Sequence, residues 1–283
     1  LIVVKIKGGF GNQLFTYASA YAISKELQTG LIMDKVIYDL DYFREFQLPL
    51  LSLKYDKVLI DSYLPDNKLK VLIYKTMRKL KLKGFIKTQE KKEFSFDRNL
   101  YNLSGDIYLD GYWQNYRYFH KYYNDLVEMF TPREGFRKEV NDYISKLQGV
   151  NSVAIHIRRG DYTTFNGGKC LALNYYNSAM KYFDLKNVHF YIFTDDIDFC
   201  KKNFSNASNK ISYVSEKEKF TDIEEFFIMK ECKNFIVANS TFSWWAAYLS
   251  KQERDKKIVA PIVDMWKRDF YPEDWVTLNT HLE

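Results

Sequence analysis

The sequence has little of what builds stapled or metal-bound folds. Its three cysteines, Cys170, Cys200 and Cys232, are odd in number and far apart. No CxxC pair occurs, so a disulfide framework and a cysteine zinc site are not expected, and a reducing compartment is favoured. The four histidines form no triad-like pattern, and both GxSxG and HExxH are missing. No apolar run approaches the roughly 18 residues that a membrane-crossing helix needs. The opening LIVVKIKGG is too short and wrongly flanked for a secretory leader, so a cytoplasmic location is expected. Zinc-finger, RNP and zipper patterns are missing too, and nucleic acid is not an expected partner.

What is present fits two domains of ordinary size in 283 residues. Hydrophobic residues make up 46%, with 23 Tyr and 22 Phe, enough for a core and for lining a sugar site. Charged residues at 28% argue against disorder. A net charge of +6 suits an anionic ligand such as a nucleotide. Residues 68–92 carry ten Lys or Arg and one Glu. Leu69, Leu72, Ile73, Met77 and Leu80 recur there at near-helical spacing. A helix with a solvated basic face is the simpler reading. A peripheral helix on the anionic inner face of a membrane is the alternative.

Ile2 to Ile6 reads as a strand, broken by Gly8-Gly9-Phe10-Gly11-Asn12, with a helix from Gln13 to about Leu27. A polar helix around Thr131 to Val150 ends the first half. The second half alternates: strands at 152–157, 188–193, 234–238 and 257–260, the last stopped by Pro261, and helices at 175–183, 222–231 and 241–249. Alternation of this kind predicts a parallel sheet covered by helices.

Ligands of such sheets bind beyond the carboxyl ends of the strands. Four places there stand out. His156-Ile157-Arg158-Arg159-Gly160-Asp161-Tyr162 sends two arginines out of a buried strand, which is costly unless an anion or carboxylate meets them. Guanidinium matches phosphate oxygens in a bidentate fork, so a diphosphate is a natural partner. An internal pair of Arg159 with Asp161 is the competing role. In Asn239-Ser240-Thr241-Phe242-Ser243-Trp244-Trp245, Asn and Ser can cap the next helix, whose N–H groups and dipole attract anions. Ser240 and Thr241 are read as phosphate contacts, and the tryptophans as core. In Phe193-Thr194-Asp195-Asp196-Ile197-Asp198, Asp196 and Asp198 form a literal DxD, a weak metal signal. Asp195 and Asp196 are read as acceptors for sugar hydroxyls, arginine or nucleotide. In GGFGNQ, neither a dinucleotide fingerprint nor a P-loop is complete. Gly9 and Gly11 still permit close backbone approach to a ligand. Asn12 sits at a helix start, where plain capping competes with a role in the site.

Together these motifs resemble the α-1,2-fucosyltransferases, glycosyltransferase family 11. The resemblance lies in GGFGNQLFTYA (Gly8 to Ala18), the GYWQ segment from Gly111 to Phe119, HIRRGDY (His156 to Tyr162), FTDD (Phe193 to Asp196), and Cys232 to Leu249 with NSTFSWW. Thr16 and Asn234 depart from the residues common there, Gln and His. The resemblance implies a GT-B-like α/β fold of two Rossmann-like domains facing a cleft. It implies an acceptor-side domain over 1–150, a GDP-fucose-binding domain over 151–265, and a segment 266–283 returning to the first. Arg158 would hold the β-phosphate and His156 would approach the guanosine. Asp222 would read the guanine edge. Arg159, Asp195, Asp196, Asn239, Ser240, Thr241 and Phe242 would complete the donor site, with Ser240 and Thr241 at the phosphates. Asn12 would face the reacting centre across the cleft. Asp161 is a candidate base, or only orients arginine. The implied reaction is inverting transfer of fucose to the 2-hydroxyl of a terminal galactose in an acceptor glycan, with no metal or other cofactor. The sequon Asn239-Ser240-Thr241 would then lie inside the site and reads as chance.

Overall fold

The computed structural model describes residues 1–39, 44–59, 86–164, 168, 170–204, 210–216, 219–251, 255–264 and 266–283. Two compact units divide the chain, Leu1–Glu134 and Gly135–Glu283.

The first unit holds a five-stranded sheet ordered β3-β2-β1-β5-β4. Its strands are β1 (Ile2–Lys5), β2 (Leu31–Asp34), β3 (Lys57–Leu59), β4 (Ile86–Gln89) and β5 (Ile107–Asp110). Every pairing is parallel, with Ile2 opposite both Leu31 and Ile107. A strand flanked on both sides and covered on both faces must be apolar throughout, as IVVK nearly is. Helix α1 (Phe10–Glu26) follows β1 at once and is apolar all round. Only Asn12, Lys25 and Glu26 along it escape burial, the pattern of a helix enclosed by its own domain. Helix α2 (Tyr123–Met129) closes the unit. Residues 68–85 of the basic run lie outside the described residues. Its next residues, Ile86–Gln89, form strand β4 rather than a helix.

The second unit opens with helix α3 (Lys138–Leu147). Phe136 packs on Phe227 at 5.1 Å, and Arg137 Nε meets Glu224 Oε1 at 2.7 Å. These contacts draw the helix into the second unit, so the boundary falls before 135 rather than at 150. The sheet is ordered β11-β10-β9-β6-β7-β8 and is again wholly parallel. Its strands are β6 (Ser152–Ile157), β7 (His189–Thr194), β8 (Lys210–Tyr213), β9 (Asn234–Ile236), β10 (Ile258–Ile262) and β11 (Val276–Asn279). The helices are α4 (Leu173–Met180), α5 (Ile197–Asn203), α6 (Asp222–Lys230) and α7 (Thr241–Leu249).

One expectation is overturned here. Pro261 does not stop β10, which runs on to Ile262. Val259 faces β9, and so does Pro261 two residues on, but the β9 ladder ends at Ile236 opposite Val259. The missing N–H therefore falls where no strand waits for it. The C-terminal segment is part of the second unit. Val276–Asn279 pairs with β10, Leu282 bridges Leu171, and Glu283 exchanges backbone bonds with Cys170. Trp275 and Phe270 lie 5.5 and 5.8 Å from Trp244. Burying these rings beside the α7 tryptophans fixes where the segment ends up.

Gly8 sets the turn between β1 and α1. Its φ is +82°, and a Cβ there would stand 2.6 Å from Asn12 Nδ2. Its carbonyl accepts from Tyr38 Oη at 2.7 Å and Gln13 Nε2 at 3.1 Å. Gly9 has nothing within 4 Å of a Cβ. Gly8→Ala is expected to lose on the order of 1–3 kcal/mol of stability, and Gly9→Ala less than about 0.5 kcal/mol. Thermal unfolding of the two variants checks the contrast, which disappears if they lose the same.

Candidate functional site

In the second sheet the strand order reverses, and loops of adjacent strands part at the carboxyl edge there. The reversal falls between β6 and β9. The HIRRGDY loop leaves β6 there, and the NSTFSWW loop follows β9. Tyr162 Oη donates to the Asn239 carbonyl at 3.3 Å and joins them.

Arg158 is held between two carboxylates, with Nη2 on Asp161 Oδ1 at 2.6 Å and Nη1 on Asp195 Oδ2 at 2.8 Å. Asp195 also accepts from the Arg159 N–H at 2.7 Å. That approach needs Gly160, where a Cβ would lie 2.7 Å from Asp195 Oδ2. Arg159 turns the other way. Its Nε meets Asp196 Oδ2 at 3.1 Å, and its guanidinium lies 3.7 Å above the Phe199 ring. An Arg159–Asp161 pair is therefore not formed. Successive residues of extended chain point to opposite sides, so the two arginines take different partners. Asp196 Oδ1 caps α5 through the Phe199 N–H at 3.0 Å. Both oxygens of the first DxD carboxylate are thus engaged, and Asp198 sits in the first turn of α5. Among the described residues no group of three His, Cys, Asp or Glu is placed to hold a metal ion.

His156 is buried near the end of β6, its ring 5.6 Å from Phe242. Burial first, and the Arg158 charge second, push its pKa down to about 3, so the imidazole is neutral. Its buried Nδ1 has no hydrogen-bond partner among the described residues. Ser240 is the N-cap of α7 but makes no side-chain cap bond. Ser243 ties the turn instead, accepting from the Ala238 N–H at 3.2 Å and donating to the Ser240 carbonyl at 3.3 Å. Thr241 and Phe242 are half-buried at the start of the helix. Trp244 and Trp245 are fully buried.

Asp222 is exposed at the first residue of α6. The acid that faces inward is Glu225. Its Oε2 accepts from Ser215 Oγ at 2.6 Å, and Ser215 Oγ accepts from the Thr194 N–H at 2.9 Å. Burial, with a smaller effect from Asp222, pushes the Glu225 carboxyl up to about 7. The helical offset of three from Asp222, next to Phe226, was the sequence signal that could have found it.

In the first unit β1 and β5 are neighbours, so their exit loops lie side by side at the carboxyl edge. Asn12 does not cap α1, since Gly9 holds that position and Gly11 is buried in the first turn. Asn12 Oδ1 accepts instead from Gln114 Nε2 at 2.8 Å, joining GGFGNQ to the GYWQ turn. Sequence reasoning had given Gln114 no role. Trp113 in that turn has φ +53°, and its carbonyl accepts from Ser19 Oγ at 2.9 Å.

Two parallel α/β units of this kind are the architecture of the GT-B fold. A solved structure of that fold, the NodZ α-1,6-fucosyltransferase soaked with GDP-fucose, aligns with a TM-score of 0.53. It is 14% identical over 88% of this chain and 92% of its own, a likeness of fold. Residues 1–279 match the model of glycosyl transferase family 11, and the chain belongs to that family. An α-1,2-colitosyltransferase of Escherichia coli is 30% identical over 99% of both chains. The human galactoside α-(1,2)-fucosyltransferase 1 is 22% identical over 97% of this chain and 74% of its own.

The Glu225 shift has a sign that can be checked. A carboxyl raised in the folded state favours folding below its ordinary value near 4.5, and this contribution is lost as pH rises through about 7. Glu225→Gln mimics the protonated form and is expected to flatten stability between pH 5 and about 8, matching or exceeding the wild type at the upper end. Denaturant melts across that range measure it, and an unchanged slope refutes the assignment.

Proposed function

We propose that the protein transfers L-fucose, with inversion and without a metal ion, from GDP-β-L-fucose to the 2-hydroxyl of a terminal galactose in a glycan. The second unit takes the donor and the first serves the acceptor. The observation that carries this reading is the convergence of the Arg158 loop and the α7 N-terminus at the reversal of the second sheet. The names of the family relatives support the linkage and the sugar class.

Inversion requires attack opposite the leaving group. A deoxy sugar has an electron-rich ring oxygen, so its transition state is oxocarbenium-like. What the protein must then supply is stabilisation of the departing diphosphate. Two guanidinium groups and three carboxylates, Asp161, Asp195 and Asp196, make the empty cluster formally −1. Arg158 uses two of its five N–H donors on Asp161 and Asp195. The aspartates fix the plane of the guanidinium, and its remaining donors are left for phosphate oxygens. The first-turn N–H groups of α7 add a dipole of the right sign. Groups oriented before the reaction need no reorganisation as charge develops. Neutral His156 can hydrogen-bond the nucleoside without repelling Arg158. Asp222 and Glu225 are the acids that α6 offers to a guanine edge. Asn12 and the GYWQ turn serve the acceptor side.

A second donor reading, transfer of colitose, is favoured by the 30% identical relative. Competition between GDP-fucose and GDP-colitose, with linkage read by NMR, separates them. Arg158→Ala is expected to lose about 10²–10³ in turnover, and Arg158→Lys most of that, since an ammonium cannot hold two aspartates and a phosphate in one plane. Turnover is expected to persist in EDTA. Full activity of Arg158→Ala removes the proposal's main support, and loss in EDTA restores a metal role for the DxD pair.

The lysine-rich run over 68–92 supports peripheral contact with an anionic membrane face, and no described helix is long and apolar enough to cross a membrane. Sedimentation with phosphatidylserine vesicles is expected to be salt-sensitive; no sedimentation at low salt rejects the contact.

A further inference from the structure

A cavity of about 280 Å³ lies in the first unit beside the GYWQ turn. Glu90, Phe96, Asp97, Asn99, Trp113 and Tyr118 are among the residues that line it. Glu90 follows β4 and so stands at the same carboxyl edge as Gly111, which follows β5. One oxygen of Glu90 holds the turn in place, since Oε2 accepts from the Tyr112 N–H at 2.8 Å. The other has no such role. Glu90 Oε1 and Trp113 Nε1 are both buried without a hydrogen-bond partner among the described residues. Buried polar atoms left in that state are costly, and a native structure keeping two of them on residues that line one cavity calls for a reason.

The backbone here is held in costly conformations. Phe94 and Trp113 have φ of +61° and +53°, two of the three non-glycine residues in the left-handed region among the described residues. Such strain persists where a site over-determines it. Gly111 makes the arrangement possible, because a Cβ there would stand 2.6 Å from Glu90 Cβ and 2.9 Å from Trp113 Cε2. The walls are tied down as well. Tyr118 Oη accepts from the Asp97 N–H at 2.7 Å, and Asn115 Nδ2 donates to the Phe94 carbonyl at 3.0 Å. The walls are therefore ordered, and a small shift of the Glu90 and Trp113 side chains brings their unpaired atoms, closed to solvent as they stand, to the cavity surface.

The chemistry of the lining selects the ligand class. Glu90 and Asp97 are balanced in the lining by Lys91 and Lys92, and Lys91 Nζ stands 3.9 Å from Asp97, so the cavity carries no net formal charge and mixes donors with acceptors. Half-buried Phe96, 4.9 Å from Tyr118, offers an apolar platform. A carboxylate acceptor, an indole donor and an aromatic face together suit a neutral ring bearing several hydroxyls. The volume is at the lower end of ligand sites, about 300 Å³, and fits one sugar ring.

Resting on the acceptor side of the reading above, we propose that this cavity is a saccharide subsite for one sugar residue of the acceptor. Glu90 Oε1 accepts a hydrogen bond from one of its hydroxyls, and Trp113 Nε1 donates to a neighbouring oxygen. Glu90→Gln and Trp113→Phe test this with little structural change. Gln can still accept from Tyr112 N–H while presenting a donor where Oε1 stood, and Phe removes the indole N–H. Steady-state kinetics with lactose and longer β-galactosides are expected to show acceptor KM raised tenfold or more in both variants, with GDP affinity by calorimetry within twofold. Acceptor KM within twofold of wild type in two folded variants overturns the subsite. If Trp113→Phe does not fold, Glu90→Gln decides alone. If the wild type transfers no sugar to any galactoside, the transferase reading has failed, and saturation-transfer NMR with lactose tests the subsite by itself. Signal present in the wild type and lost in Glu90→Gln supports it; signal absent or unchanged overturns it.

Discussion

A parallel sheet sends all its exit loops to one edge, and adjacent loops part where the strand order reverses. The shared edge governs both units, and the reversal the second. In the second it sets the arginine loop after β6 against the serine-threonine loop after β9. In the first the shared edge sets Gly8 to Asn12 against Gly111 to Gln114. The bond from Gln114 to Asn12 crosses 102 positions of sequence, yet it joins loops of neighbouring strands. Each motif is thus one half of a pair, and the sheet order does the pairing.

The electrostatics follow from the same edge. β6 is buried along its whole length, so a charge can appear only where the strand ends. Two arginines do so at once, and the acids that receive them come mainly from the exit loop of β7, the next strand in the sheet. Arg158 is accordingly a clamped cation. Its plane is set by Asp161 and Asp195, whereas Arg159 is occupied with Asp196 and the Phe199 ring. Beside them His156 stays neutral because burial and a guanidinium both oppose its protonation. Cation, neutral imidazole and helix terminus differ in kind, and only the first and last can carry phosphate charge.

The parts legible in the sequence were those with strong local signals. Central strands β1, β5, β6, β7 and β9 are short apolar runs bounded by turns, and α1, α6 and α7 have long helical composition. β2, β3, β8 and β11 were not anticipated, since three or four residues of mixed character carry no distinctive period. Pro261 was misread because its cost depends on which neighbour its missing N–H would face. At the end of the chain Trp266, Phe270 and Trp275 state in sequence that they need burial, and only the fold shows that they find it beside Trp244 and one another. Among the site residues, Glu90 carries no local mark of burial, Glu225 only its helical offset from Asp222, and Asn12 reads as a cap because its partner lies far along the chain.

The amino-acid order alone therefore determined which residues can do chemistry: two arginines leaving an apolar strand, a serine-rich helix start, glycines where the backbone must turn. Only the tertiary structure decided which of them meet. Ion pairs, orphaned polar atoms and the burial of a histidine are relations between segments, and the strand order creates those relations. Local sequence fixes a side chain's chemistry through covalent structure, but its charge state and partners depend on what the fold brings within a few ångströms of it.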